Sequence, residues 1–150
     1  MRIQFIPTRI HSAIDHVVGP ALVVAPSILR LGRTSPEGIV ARAVGGAESV
    51  YSNLTDYELS AGKLVPLRVH LVLDTLGGAA LALVPQLTGA RRRGKKHWVP
   101  HLAIGALEVG LAVLTKAERP KSGRRAQLAR LVASAKGVRD AATDAVRGVV

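Results

Sequence analysis

The chain has 150 residues, a formal net charge of +11, 48% apolar and 21% charged residues, and no cysteine. That length bounds it to one domain, long enough for about four membrane crossings at ~20 residues each. The missing cysteine excludes disulfide scaffolds, thiolate metal sites and cysteine nucleophiles, and 3% aromatic residues leave few rings for stacking single-stranded nucleic acid.

The mean hydropathy of +0.26 averages over two basic segments, so the rest of the chain is much more apolar. One segment holds Arg91, Arg92, Arg93, Lys95 and Lys96, and the other begins at Lys116. Nucleic acid and anionic lipid both suit such a charge. Basic clusters that bracket apolar runs favour lipid, because a DNA-binding domain stripes its charge along one face.

The first apolar run, Ile10 to Leu29, predicts a helix kinked at Pro20 and Pro26. Its His11, Asp15 and His16 argue against a secretory signal. Gly32 marks a turn, and Ser35-Pro36-Glu37 then supplies an N-cap, a first-turn proline and a first-turn acid. The second run, Ile39 to Leu54, is short and carries Arg42, Glu48, Ser49, Ser52 and Asn53. The third covers Leu67 to Leu87. After turns at Gly89 and Gly94, the fourth runs from Trp98 to Leu114, with Pro100 in its first turn and Trp98 as an interface anchor. These runs are too long for ordinary strands and do not alternate polar with apolar residues. From Lys121 onward, apolar residues recur at three- and four-residue steps among Arg and Lys, which predicts a basic amphipathic helix lying on anionic headgroups.

The chain repeats itself. Pro7, Arg9, His11, Asp15, Gly19 and Pro26 read onto Pro66, Arg68, His70, Asp74, Gly78 and Pro85 at an offset of 59. Gly45, Glu48, Thr55 and Glu58 read onto Gly105, Glu108, Thr115 and Glu118 at an offset of 60. Each copy holds two apolar runs, so both copies point the same way, with a pseudo-two-fold axis along the membrane normal.

The repeated ionisable residues, His11, Asp15 and Glu48 with His70, Asp74 and Glu108, are the candidate site. Residues four apart share a helix face, so His11 stacks with Asp15 and His70 with Asp74. At ~1.5 Å per residue, Glu48 and Glu108 return to nearly the same layer on the partner helices. Such groups inside a membrane are functional candidates by default. Three readings stand, in descending order: a structural polar network flanked by Arg9 and Arg68, a proton or ion path, and a divalent metal site. No hydrolytic nucleophile motif and no phosphate-binding glycine loop is present. His16, His97 and His101 read as ordinary interfacial or solvated residues.

Ile6-Pro7-Thr8-Arg9-Ile10-His11, Ala25-Pro26-Ser27, Asn53-Leu54-Thr55-Asp56-Tyr57-Glu58-Leu59, the second copy Val69-His70-Leu71-Val72-Leu73-Asp74, and His97-Trp98-Val99-Pro100-His101 together resemble small bacterial membrane proteins of the SPW-repeat type. The likeness covers about residues 3 to 118. Proteins of that type look like paired two-helix repeats with Ser-Pro-Trp after the first helix of each. Here those places read Ala25-Pro26-Ser27 and Val84-Pro85-Gln86, so the prolines are present and the tryptophans are not. The resemblance implies a membrane location and no particular activity.

The expected fold is all-α: a four-transmembrane-helix bundle from two tandem helical hairpins, plus a C-terminal basic amphipathic helix. The membrane domain is expected over residues 1–118 (repeats at about 7–58 and 66–118) and the amphipathic helix over 119–150. The expected function is non-enzymatic and structural or interaction-based. The alternatives are a proton or ion conduit and a soluble helical protein that binds nucleic acid. No cofactor is expected. The expected partners are the bilayer, anionic headgroups at the C-terminal helix, and further copies of the chain, since two hairpins cannot enclose a wide pore. The expected location is the inner membrane. Nine Lys/Arg near the helix ends lie on the side of the termini and seven on the other, a slight lean to cytoplasmic termini.

Overall fold

The computed structural model describes residues 4–117. The amphipathic helix expected over 119–150, and Glu118 of the repeat, lie outside the described residues. Four helices follow in order: α1 (Thr8–Ile28), α2 (Pro36–Leu54), α3 (Leu67–Leu87) and α4 (Val99–Leu114). Two short 3-10 turns, Ala90–Arg93 and Lys95–His97, fill the loop before α4. Among the described residues β-pairing is confined to two isolated bridges.

Local chemistry sets the helix ends. Ser35 Oγ accepts the Gly38 N–H at 3.3 Å, and Pro36 occupies the first turn of α2. Trp98 precedes α4, again with a proline in the first turn. Pro7 and Pro66 hold extended backbone just before α1 and α3. Gly89 and Gly94 turn the basic loop at φ values of 70° and 111°, a region open to glycine because it lacks Cβ. Pro20, Pro26 and Pro85 sit inside their helices.

α1 packs on α2 and α3 on α4, with α2 against α3 between the two hairpins. Each hairpin crosses on glycine. A Cβ added to Gly45 would stand 2.5 Å from the Gly19 carbonyl oxygen, and one added to Gly78 would stand 2.7 Å from that of Gly105. Small residues at such crossings let helix backbones approach closely.

At one end of the bundle the chain entrances and exits are stitched crosswise. Ile6, entering α1, bridges Thr115, which leaves α4; Thr55, leaving α2, bridges Val65, which enters α3. The backbone bonds include Ile6 N–H to Leu114 O at 3.0 Å and Val65 N–H to Leu54 O at 2.8 Å. Each hairpin therefore ties its beginning to the other's end.

Ionisable side chains are buried in the bundle while many large apolar ones are exposed. The buried apolar cluster is small, Leu22, Ala41 and Leu81 with Val18, Val40, Val44 and Ile104 against it. Val17, Val50, Leu76 and Leu83 are exposed, while His11, Asp15, Glu48, His70, Asp74 and Glu108 are all at 0–1% exposure. Two segments, Leu67–Leu87 and Lys95–Leu114, are long and apolar enough to cross a membrane, and only 28% of each is buried inside the chain. Of the four expected spans, these two meet that test. Arg42, Glu48, Ser49, Ser52 and Asn53 dilute α2, and Arg9, His11, Asp15 and His16 dilute α1.

Candidate functional site

The repeated His and Asp residues close on one another near the stitched end of the bundle. His11 and Asp15 lie one turn apart on α1, and His70 and Asp74 do the same on α3. The two imidazole Nε2 atoms are 3.2 Å apart. His11 Nε2 lies 3.4 Å from Asp15 Oδ2 and 3.0 Å from Asp74 Oδ2; His70 Nε2 lies 3.0 Å and 3.1 Å from the same two oxygens. Each imidazole thus faces the carboxylate on its own helix and the one on the other hairpin.

The second ring nitrogen of each histidine is anchored on a threonine just past a helix end. His11 Nδ1 meets Thr115 Oγ1 at 2.7 Å, and His70 Nδ1 meets Thr55 Oγ1 at 2.9 Å. Each aspartate also receives one tyrosine hydroxyl. Tyr51 donates to Asp74 Oδ1 at 2.7 Å, and Tyr57 donates to Asp15 Oδ2 at 3.1 Å. Both tyrosine rings stand edge-on to His70, with centroids 5.0 and 5.1 Å away. Burial, with the Asp15 carboxylate adding to it, holds the Tyr57 phenol above its ordinary value, so Tyr57 remains a donor at neutral pH.

Glu48 on α2 and Glu108 on α4 belong to the same electrostatic neighbourhood as Asp15 and Asp74. Both oxygens of Glu48, Oε1 of Glu108, Oδ1 of Asp15 and the hydroxyls of Ser12 and Ser52 are buried without a hydrogen-bond partner. A buried polar atom in that state is costly unless something else satisfies it. All six repeated ionisable residues are therefore buried, but only the His and Asp pairs are in direct contact. Arg9 and Arg68 are exposed and stand outside this contact set.

Thr55 and Thr115 were legible as a repeated pair. Tyr51 and Tyr57 were not, because their repeat positions hold Leu111 and Ala117. The reading of His101 as interfacial or solvated is corrected, since it is buried, while His97 is half-buried and held by a partner. Glu37 is fully buried, and a buried carboxylate draws partners: His97 Nδ1 at 2.6 Å and Arg93 Nη2 at 2.9 Å. His101 is buried and donates from Nε2 to the Glu37 carbonyl at 2.9 Å. His16 is half-buried, with Nδ1 on the Ser12 carbonyl at 2.7 Å.

Ligand atoms of His11, Asp15 and His70 lie within 4.8 Å of one another, close enough to hold a metal ion. No protein-family model, curated protein or solved structure matches the chain.

Proposed function

We propose that the chain is a small, non-enzymatic integral membrane protein whose two hairpins cross the bilayer four times around one shared ionisable centre. The observation that carries this reading is the inverted burial: apolar side chains outside, His, Asp and Glu inside. Water rewards the opposite arrangement, whereas lipid tolerates ionisable groups only when they face the bundle interior and pair. α1 and α2 cross as companions of α3 and α4, with His11, Asp15 and Glu48 turned to the centre.

The hairpins are tandem copies of one unit. Matched pairs at the two glycine crossings, the two crosswise bridges and the two His–Asp turns support that reading. The likeness to the SPW-repeat type and cytoplasmic termini in the inner membrane are part of the same proposal, as are anionic lipid at the basic C-terminal segment and self-association.

The test is fractionation of membranes from cells that express the chain. Retention in the pellet through high-salt and urea washes, with release by detergent, is expected. Release by salt or urea alone would sink the membrane reading and bring forward the soluble basic protein with nucleic acid as partner.

A second reading, a conduit for protons or ions, is favoured by the partnerless oxygens of Glu48 and Oε1 of Glu108 near the His–Asp contacts. It predicts flux in proteoliposomes that disappears in the Asp15→Asn, Asp74→Asn double variant. Equal flux in both preparations would remove it.

A further inference from the structure

We propose that His11, His70, Asp15 and Asp74 form a binding site for one divalent first-row transition ion, with zinc the best match to the donors. This deepens the reading of the shared centre given above and rests on it for the site's place in the bundle.

Hydrogen-bond accounting leads there. The Thr55 hydroxyl donates its one proton to the Tyr51 carbonyl at 2.7 Å. Toward His70 Nδ1, 2.9 Å away, Thr55 Oγ1 is therefore the acceptor, and Nδ1 carries the ring proton. A neutral imidazole then presents a bare lone pair at Nε2. That lone pair faces Asp15 Oδ2 at 3.0 Å, Asp74 Oδ2 at 3.1 Å and His11 Nε2 at 3.2 Å. Carboxylate oxygens offer only further lone pairs. A cation held between these atoms would satisfy the His70 lone pair and both carboxylates at once, whereas a proton on His70 Nε2 serves only the oxygen it points at.

Spacing and charge fit a metal. A tetrahedral ion with bonds of ~2.0–2.1 Å sets its ligand atoms about 3.3 Å apart, and the His–His and His–Asp separations run from 3.0 to 3.4 Å. Two carboxylates neutralise a divalent ion, which removes the penalty of an uncompensated buried charge. The surroundings are those of a metal centre: a hydroxyl on the outer nitrogen of each histidine and a tyrosine on each aspartate, the kind of contact that fixes ligand orientation. Asp15 Oδ1 and both Glu48 oxygens are buried beside the site without hydrogen-bond partners, so acceptor capacity remains there for a bound cation to draw on. Imidazole with carboxylate suits zinc and its first-row neighbours, whereas magnesium and calcium prefer oxygen alone. Both hairpins must contribute, so the ion would also clamp them together.

The full chain, purified in detergent and stripped with chelator, is titrated with Co(II), and the visible ligand-field bands are followed. One equivalent per chain with the intense bands of a low-coordinate site, bleached by one equivalent of zinc, is expected. The His11→Gln, His70→Gln double variant loses the bands. Thr55→Val and Thr115→Val each weaken Co(II) affinity about 10-fold. His16→Gln and His101→Gln leave the stoichiometry unchanged. X-ray absorption of the unmutated zinc-loaded chain gives a signal for two imidazoles, which keeps the test independent of any variant's folding. A folded chain whose Co(II) spectrum stays that of the free ion overturns the site, as does a coordination shell without imidazole. Membrane retention without metal binding removes the site alone; metal binding by a chain that salt or urea washes off removes the membrane reading alone.

Discussion

The two hairpins place the same groups at the same positions and surround them differently. His, Asp, Glu and the post-helix Thr occur once in each, as does the glycine pair at each crossing. The second hairpin wraps these groups in helices apolar enough to cross a membrane. The first hairpin is more polar along α2 and supplies both tyrosines, Tyr51 to Asp74 and Tyr57 to Asp15. The difference separates two jobs. Residues present in both halves build the centre, and residues present in one half satisfy what the centre leaves open. A centre at the junction of two matched hairpins can be symmetric while its support is not.

Equal substitutions in the two halves measure that division. Removing one central carboxylate should cost most. Asp15→Ala and Asp74→Ala each leave two imidazoles short of a partner and are expected to destabilise by about 3–5 kcal/mol, equally in both halves, by denaturant unfolding in detergent followed by circular dichroism. A large inequality would mean that one hairpin alone carries the centre. Gly45→Val and Gly105→Val force a side chain into the backbone of the partner helix and are expected to cost about 3 kcal/mol each, read as lost thermal stability.

The tyrosines should break the symmetry. Tyr57→Phe removes a hydrogen bond to a carboxylate and is expected to cost about 1.5–3 kcal/mol; Tyr51→Phe should do the same through Asp74. The Tyr57 phenol is held above its ordinary value by burial and Asp15. Its contribution is therefore complete below the unfolded tyrosine value of about 10 and is lost as pH rises from there through the folded value. An alkaline unfolding series should show that loss and should flatten in Tyr57→Phe. The smallest effect is expected at Arg9→Ala and Arg68→Ala. Both residues are exposed, so each change should stay within about 0.5 kcal/mol in the same unfolding assay.

Much of the architecture was legible. Apolar runs bounded by Ser35-Pro36, Pro66, Gly89 and Pro100 gave the four helices to within a few residues, and the offset of 59 paired His11 with His70 and Asp15 with Asp74. Repetition names residues but not their contacts. It set Glu48 and Glu108 in the same layer as His and Asp, yet the structure leaves both oxygens of Glu48 and Oε1 of Glu108 without hydrogen-bond partners. It also passed over Tyr51 and Tyr57, which act from one copy only. The Glu37–His97 pair was hidden for a related reason. An acid in a first turn has a sufficient local explanation in the helix N-terminus, and nothing local reveals that a loop some sixty residues later folds onto it, with 60 positions between partners.

The most direct test of the account uses the absence of cysteine. Single cysteines are introduced at exposed apolar positions on three helices, Val17→Cys, Leu76→Cys, Leu83→Cys and Val113→Cys, and in the loops at Arg33→Cys and Lys95→Cys. Intact membranes are then treated with a water-soluble maleimide. Loop cysteines that label from one side of the membrane, with helix cysteines that label only after the bilayer is dissolved and the chain denatured, are the predicted result. Helix cysteines that label as fast as Lys95→Cys in intact membranes would place the apolar exterior in water and contradict it.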